Sequence, residues 1–187
     1  MQAIDALLSR RSAKMLTDPG PDDGALELLL ESAARAPDLG RLRPWRFIVI
    51  RGSARERLGE LMAEQLRRAQ PTASGESLQR ERQKALRAPL IIVVAAACQA
   101  SAKIPAIEQI LSAGAAAQNM MLAAGALGFG AMWKTGGAAY DESVKVALGL
   151  GRTDSIVGFL YLGTAPAEAL PAPARTQWRD RVSYWHE

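Results

Sequence analysis

A long stretch without charge most constrains how this chain can fold. From Ala113 to Trp133 the only polar side chains are Gln118 and Asn119, and Pro105 and Gly128 suit the two ends of a helix through this region. Much of the stretch is alanine and glycine, which transfer weakly into lipid, so a membrane-spanning helix is disfavoured. A helix that is apolar on all sides is also typical of the buried centre of a globular domain. We therefore expect a helix with other elements packed around it.

Apolar runs elsewhere predict the strands of one sheet. Trp45 to Arg51 alternates large apolar and β-branched residues, and Leu90 to Ala97 is a continuous apolar run of the kind found in strands buried on both faces. Ile156 to Leu162 gives a third strong strand signal, and Gly130 to Thr135 is a shorter candidate. Helical patterns precede the first predicted strand, so strands and helices do not alternate strictly. This order favours the α+β class, with a small central sheet between helices.

One cysteine and one histidine exclude several kinds of site. Cys98 follows an apolar run and His186 is next to the C-terminus, so an internal disulfide, a zinc ribbon or a CxxC redox pair cannot form. A catalytic triad or a multi-histidine metal site is disfavoured, and we expect no metal. We interpret Cys98 as a small core residue, because no histidine lies near it in sequence to activate it. The 187 residues, of which 49% are hydrophobic, predict a single domain over residues 1–187.

The basic charge of the chain raises the question of a nucleic-acid partner. The formal net charge is +4 and the pI is about 9.6, and basic residues are in excess between Arg51 and Arg87. That segment holds no aromatic residue and its charges alternate in sign, which is typical of a solvated helical surface. We therefore expect neither a nucleic-acid nor a membrane partner. Met1 to Ala13 contains Asp5 and only a short apolar stretch, so no signal peptide is predicted and we expect a cytoplasmic protein.

Three segments combine residue types that bind an anionic or planar ligand. Arg10-Arg11-Ser12 offers two guanidinium groups and a hydroxyl, which suit a phosphate and its polyol neighbours. Arg35 to Trp45 holds three arginines and two prolines that restrict the backbone. Trp133 to Gly137 places a lysine and a threonine where a predicted strand meets a flexible turn. Taken singly, each segment also fits a structural role, as a charged helix end, a rigid connector or a solvated turn.

Taken together and in this order, these segments resemble the flavin-dependent nitroreductases, specifically their short, single-domain NAD(P)H nitroreductase branch. The resemblance extends over nearly the whole chain. Besides the three segments, it rests on the motifs Ala88-Pro89-Leu90-Ile91, Ser112-Ala113-Gly114, Gly128-Phe129-Gly130 and Ile156 to Gly163.

The resemblance implies an α+β homodimer with a mostly antiparallel sheet and FMN bound in two sites at the subunit interface. The aromatic-rich C-terminal tail, from about residue 165, would then wrap the partner subunit. The residues expected to contact FMN are Arg10, Arg11, Ser12, Arg35, Leu39, Trp133, Lys134 and Thr135, of which Arg35 and Leu39 would typically serve the other subunit. The expected nicotinamide contacts are Ala123, Ala124, Gly125, Ala126, Leu127 and Gly128.

The implied chemistry belongs largely to the cofactor. NAD(P)H would deliver hydride to the flavin, and an electron-poor small-molecule acceptor, such as a nitroaromatic or a quinone, would then be reduced. Lys134, Arg41 and Arg43 are candidates for the positive charge that stabilises the reduced flavin. Two alternatives stay open: another flavin reaction, such as dehalogenation or ring oxidation, and a non-catalytic flavin-binding or storage protein. Leu39 and Arg43 depart from the small polar and amide residues of many relatives, so the sequence leaves the acceptor undecided.

Overall fold

The structure is a computed structural model that describes residues 2–13, 15–99, 103–170 and 177–186. The helices in these ranges are α1 (Ala3–Ser9), α2 (Asp23–Ala33), α3 (Ala54–Ala69), α4 (Gly75–Lys84), α5 (Ala106–Ala126) and α6 (Glu142–Ala147). The strands are β1 (Trp45–Arg51), β2 (Leu90–Ala96), β3 (Gly130–Lys134) and β4 (Ser155–Gly163). Short 3-10 turns lie at Leu39–Arg41, Gly137–Ala139, Ala167–Ala169 and Arg179–Arg181.

The strands within the described ranges form one sheet in the order β1-β2-β4-β3. All three strand pairs are antiparallel. This confirms the α+β class and the small antiparallel sheet flanked by helices. β3 pairs with β4 on one side only and therefore lies at an edge of the sheet. Because β3 lies at an edge of the sheet, both of its ends are accessible.

Both faces of the sheet are covered, because β2 sends alternate side chains to opposite sides. Ile91 and Val93 pack with α3 and α6 on one face, whereas Ile92 and Val94 pack with α2 and α5 on the other. Every residue of β2 is buried, as the continuous apolar run predicts. The long predicted helix is α5, and half of its buried residues are alanines, whose small side chains let the helix approach the sheet closely.

Helix boundaries follow ordinary capping chemistry. The Asp22 carboxylate accepts a hydrogen bond from the Ala25 N–H at 2.8 Å, and Asp141 does the same for Val144 at 2.9 Å. α5 ends where Gly128 adopts a positive φ of 86°, a conformation that glycine adopts without steric cost. No helix within the described ranges is long and apolar enough to cross a membrane.

Several apolar side chains in the described ranges are exposed to solvent. On α1, Ile4, Leu7 and Leu8 are all exposed, and on α5 the same holds for Ile107 and Leu111. Of the predicted tail, the part through Leu170 packs on its own chain, and residues 171–176 lie outside the described ranges. The aromatic side chains further on are exposed, namely Trp178, Tyr184 and Trp185.

Candidate functional site

The N-terminal segment lies beside the start of β3. The Ala13 N–H donates to the Ala131 carbonyl at 3.1 Å, and Thr17 exchanges two backbone hydrogen bonds with Thr164 at the end of β4. These bonds fix the preceding residues, and the Arg10 guanidinium donates to the Ser12 hydroxyl at 3.4 Å. Two of the three predicted phosphate-binding groups are therefore already in contact with each other.

Arg10 and Arg11 line a cavity of about 300 Å³ at the start of β3, which we call the N-terminal cavity. Its other walls come from α1, from the end of α5 and the residues through Gly130, and from the segment after β4. An added Cβ at Gly130 would lie 2.5 Å from the Ala165 Cβ, so only glycine fits this wall. Two guanidinium groups in one cavity suit a phosphate, which they can bind through charge-assisted hydrogen bonds.

The segment predicted to contact nicotinamide lies at this same cavity. Gly125 and Gly128 line it together with the two arginines. Ala124 is fully buried in the core. The segment carries no polar side chain, so it can offer a ligand only backbone groups and small apolar surface.

A second cavity of about 480 Å³ lies at the other end of β3, and we call it the strand-end cavity. Lys134 and Thr135 line it, followed by Gly136 and Gly137. Gly136 has a positive φ of 81°, and a Cβ at Gly137 would lie 2.7 Å from the Gln65 amide. The two glycines thus let the backbone turn tightly against α3 and form one wall of the cavity. The facing wall comes from α3, α4 and β4, with Gln65, Gln70, Glu81, Lys84, Arg87 and Tyr161.

The charge of the strand-end cavity is positive. Lys84 pairs with Glu81, while neither Arg87 nor Lys134 has a carboxylate partner among the described residues. Tyr161 is 2% exposed, and its burial, partly offset by Arg87, raises the pKa of the phenol to about 12. The phenol therefore stays protonated at neutral pH, and the cavity offers cationic and hydroxyl donors to an anionic or electron-rich ligand.

Sequence reasoning found Lys134 and Thr135 but missed Lys84, Arg87 and Tyr161. The first two lie in a segment of alternating charge that has the pattern of an ordinary solvated surface. Tyr161 lies inside the apolar run of β4. Nothing in their local sequence marks these residues, because only the packing of α4 and β4 around the end of β3 brings them together.

The indole of Trp133 is held by its own sheet. Its Nε1–H donates to the Val157 carbonyl at 3.2 Å, and the ring lies over Gly158, where a Cβ would be 2.2 Å from Nε1. The side chain packs with the α5 side of the core. A ligand at the strand end would therefore meet the backbone of Trp133 rather than a free indole N–H.

The arginine-rich loop lies apart from both cavities. The Asp38 carboxylate accepts from the Leu42 N–H at 3.2 Å and from the Arg43 N–H at 2.8 Å. Arg41 and Arg43 have positive φ values of 55° and 48°, a strained conformation for residues with a side chain. Asp38 stabilises this conformation by satisfying two backbone donors.

Within one chain, the loop residues predicted to contact FMN or to stabilise its charge do not lie in the same cavities as the predicted N-terminal and strand-end residues. Leu39 is 59% exposed, and Arg35, Arg41 and Arg43 are also exposed. None of these four lines either cavity as described.

Cys98 is half-buried against the core and its thiol lies 3.8 Å from the Ala106 carbonyl. Burial, with a smaller contribution from Asp154, raises the pKa of the thiol. Both observations agree with a packing role. The described residues contain no group of three or more side chains that could hold a metal ion.

β3 connects the two cavities. Gly130 lines the N-terminal cavity and Lys134 lines the strand-end cavity. Four residue steps along an extended strand span about 13 Å. The two cavities are therefore separated by about this distance along β3, whose middle residues Ala131 and Met132 are buried.

Comparison with known proteins defines the class of protein. The model of the nitroreductase family matches residues 7–164. A protein of Escherichia coli strain K12 named as the NAD(P)H nitroreductase YdjA is 40% identical over 169 residues, which cover 90% of this chain and 91% of the relative. The chain therefore belongs to the nitroreductase family, which confirms the resemblance and makes it an enzyme.

Solved structures share the fold over the full length. A nitroreductase-like protein from Bacillus cereus superposes with a TM-score of 0.84 at 26% identity, covering 100% of this chain and 97% of the other. A Desulfovibrio desulfuricans structure described as a nitroreductase in complex with FMN gives a TM-score of 0.75 at 26% identity, covering 98% and 96%.

Proposed function

We propose that this chain is an FMN-dependent oxidoreductase that uses NAD(P)H to reduce nitroaromatics, quinones or similar electron-poor acceptors by hydride transfer through the flavin. Its membership of the family, the NAD(P)H nitroreductase name of the Escherichia coli relative and the FMN of the Desulfovibrio structure support this proposal. The observation that carries it is the edge strand β3, with an arginine-lined cavity at one end and a larger cationic cavity at the other.

The residues at the two ends of β3 fit FMN. Arg10, Arg11 and Ser12 would hold the phosphate and the ribityl chain, since both guanidinium groups line the N-terminal cavity and the Ser12 hydroxyl accepts a hydrogen bond from Arg10. The backbone of Trp133, together with Lys134 and Thr135, would lie along the ring system. When bound, FMN accepts and donates hydride, which no side chain can do. Lys134 supplies positive charge beside the ring, whereas Arg41 and Arg43 could do so only from a partner subunit.

We propose a homodimer with FMN at the subunit interface. The exposed apolar faces of α1 and α5 support this assembly, because burying apolar surface contributes about 25 cal/mol per Å². Arg35 and Leu39 project from a loop that reaches neither cavity of its own chain, as expected if they complete the site of the partner. The exposed aromatic residues after residue 176 would wrap the partner. Light scattering tests this, and a monomeric holoprotein would contradict it.

The proposed activity is tested by purification followed by turnover. We expect a yellow protein that releases FMN on denaturation and, under anaerobic conditions, oxidises NADH or NADPH through many turnovers only when an acceptor is supplied. A panel of a nitroaromatic, a quinone, a halogenated phenol and a saturated ring amine separates nitro and quinone reduction from the other flavin reactions. A protein that neither contains FMN nor binds it after reconstitution would overturn the proposal.

A further inference from the structure

The strand-end cavity adjoins a groove on the surface of the helical layer. A depression of about 550 Å³ runs along α4 beside the end of α3. Leu66, Gln70, Glu81, Lys84 and Arg87 line both this groove and the strand-end cavity, so the two meet along a common wall. Further along, the groove is lined by Ser77 and Arg80. The strand-end cavity therefore continues outward, over α4.

The charges along this path are unevenly compensated. Arg80 lies 3.5 Å from Glu76, and Lys84 pairs with Glu81, so each of these cations has a carboxylate partner. In the described part of the chain, Arg87 and Lys134 have none. Arg87 is exposed and lies at the junction of the cavity and the groove. Lys134 lines only the strand-end cavity, so Arg87 is the cation of the groove without a carboxylate partner in the described part of the chain, and its guanidinium fork suits phosphate oxygens.

We infer that this groove binds the diphosphate and adenosine half of the nicotinamide dinucleotide, with Arg87 contacting the diphosphate. The inference rests on the proposed function, since it requires FMN along β3. If the FMN phosphate occupies the N-terminal cavity and the ring lies at the strand-end cavity, the nicotinamide must enter the strand-end cavity to meet the ring. The rest of the dinucleotide then leaves the strand-end cavity along the groove, past Arg87, Ser77 and Arg80.

This placement differs from the segment that the resemblance suggests for the nicotinamide. Ala123 to Gly128 lies at the opposite end of β3, beside Arg10 and Arg11. It offers no side-chain donor, and Ala124 is fully buried. A dinucleotide carries at least two negative charges. Of the three cavities, only the groove offers cations that can meet these charges without displacing FMN.

The test separates the two halves of the catalytic cycle in the FMN-loaded protein. Arg87→Ala should raise the dissociation constants of NADH and NADPH, measured by stopped-flow flavin reduction, about tenfold or more, as expected for a lost charge-assisted hydrogen bond. Reoxidation of dithionite-reduced protein by the acceptor should be unchanged. Arg57→Ala, which removes an exposed arginine of α3 outside the cavities, is the matched control and should change neither constant.

Three outcomes would overturn the inference. The NAD(P)H dissociation constants could be the same in Arg87→Ala and Arg57→Ala. Reoxidation by the acceptor alone could slow, which would place an acceptor at Arg87 instead. Arg87→Lys could bind NAD(P)H as weakly as Arg87→Ala does, whereas the retained charge of lysine should preserve part of the affinity. A wild-type flavin that neither NADH nor NADPH reduces would instead refute the proposed function.

A second readout uses a ligand without the nicotinamide. ADP-ribose should inhibit competitively with NADH in the wild-type holoprotein, and its inhibition constant should rise in Arg87→Ala but not in Arg57→Ala. The inhibition should also weaken as salt is raised, because exposed charges are screened. ADP-ribose inhibition that Arg87→Ala leaves unchanged would place the diphosphate elsewhere. FMN content and melting temperature, measured on each variant, confirm that the fold is retained.

Discussion

The two ends of β3 are built in different ways. At its start, Arg10 and Arg11 come from one continuous segment, and the cavity around them is lined mostly by glycine, alanine and larger apolar residues. At its far end, the lining groups come from α3, α4, β4 and the turn after β3. The first end is a smaller cavity whose two cations are neighbours in sequence, whereas the cations of the larger second cavity come from separate segments that only the folded chain brings together. Substitutions at the two ends test this contrast.

Arg10→Ala should have the largest effect, because it removes a charged donor from the smaller end. Loss of a hydrogen bond to a charged group costs about 1.5–3 kcal/mol, which corresponds to about ten- to a hundredfold weaker FMN binding. Titration of the apoprotein with FMN, followed by flavin fluorescence, measures the change. Arg57→Ala is the control, because it removes the same charge. Equal FMN affinity in the two variants would show that Arg10 does not bind FMN.

The contrast explains what could be read from the sequence. Trp45 to Arg51 was predicted as a strand and is β1 with the same limits, because alternation is a local signal. The buried β2 and the long α5 followed from uninterrupted apolar runs. Arg10-Arg11-Ser12 was recognisable because its groups adjoin in sequence.

Other features depend on tertiary structure and left no local signal. Lys84, Arg87 and Tyr161 meet only through the packing of α4 and β4 around the end of β3. The bond from Trp133 to Val157 likewise depends on how β3 and β4 pair. Ile4 and Leu7 share a helical face, as their spacing indicates, but the spacing could not show that their own chain leaves this face uncovered.

Gly158→Ala should destabilise the fold more than Gly40→Ala or Gly75→Ala, because its added methyl group makes the closest contact of the three. The new Cβ would lie 2.2 Å from the Trp133 Nε1, so the indole must move and its bond to Val157 is lost. Overpacking of this kind costs about 1–3 kcal/mol, which lowers the melting temperature of a chain of this size by several degrees. Gly75→Ala should change the melting temperature little, because a Cβ added there would meet no neighbouring atom within 4 Å. A well-folded Gly158→Ala protein with an unchanged melting temperature would contradict this account of the indole.

The arginine loop gives a pair of changes with opposite sign. Arg43→Gly should stabilise the fold by up to about 1 kcal/mol, because glycine adopts the observed φ of 48° without steric cost. Gly40→Ala should destabilise by a similar amount, since φ is 73° and the Cβ would lie 3.0 Å from the Ile104 Cδ1. Urea unfolding of both variants measures the difference, and the same sign for both would show that the loop conformation is not strained.

At neutral pH the smallest effect on stability should come from Tyr161→Phe, and this effect should change only at alkaline pH. Because the folded-state pKa of about 12 lies above the unfolded value of 10, the folded protein retains a proton that the unfolded chain has lost between pH 10 and 12. The corresponding stability is present below pH 10 and is lost as the pH rises through 12. The difference in melting temperature between wild type and Tyr161→Phe should therefore change between pH 10 and 12 and stay constant from pH 7 to 9. A change below pH 9 would mean that the phenol is not buried as described.

Anaerobic addition of NADH or NADPH to the purified protein, followed in the visible absorption band of the flavin, tests the central claim most directly. The account predicts that the yellow colour is lost with one equivalent of nicotinamide per FMN and returns when a nitroaromatic or a quinone is added. A bound flavin that keeps its colour with both nicotinamides would contradict it and would favour a storage protein.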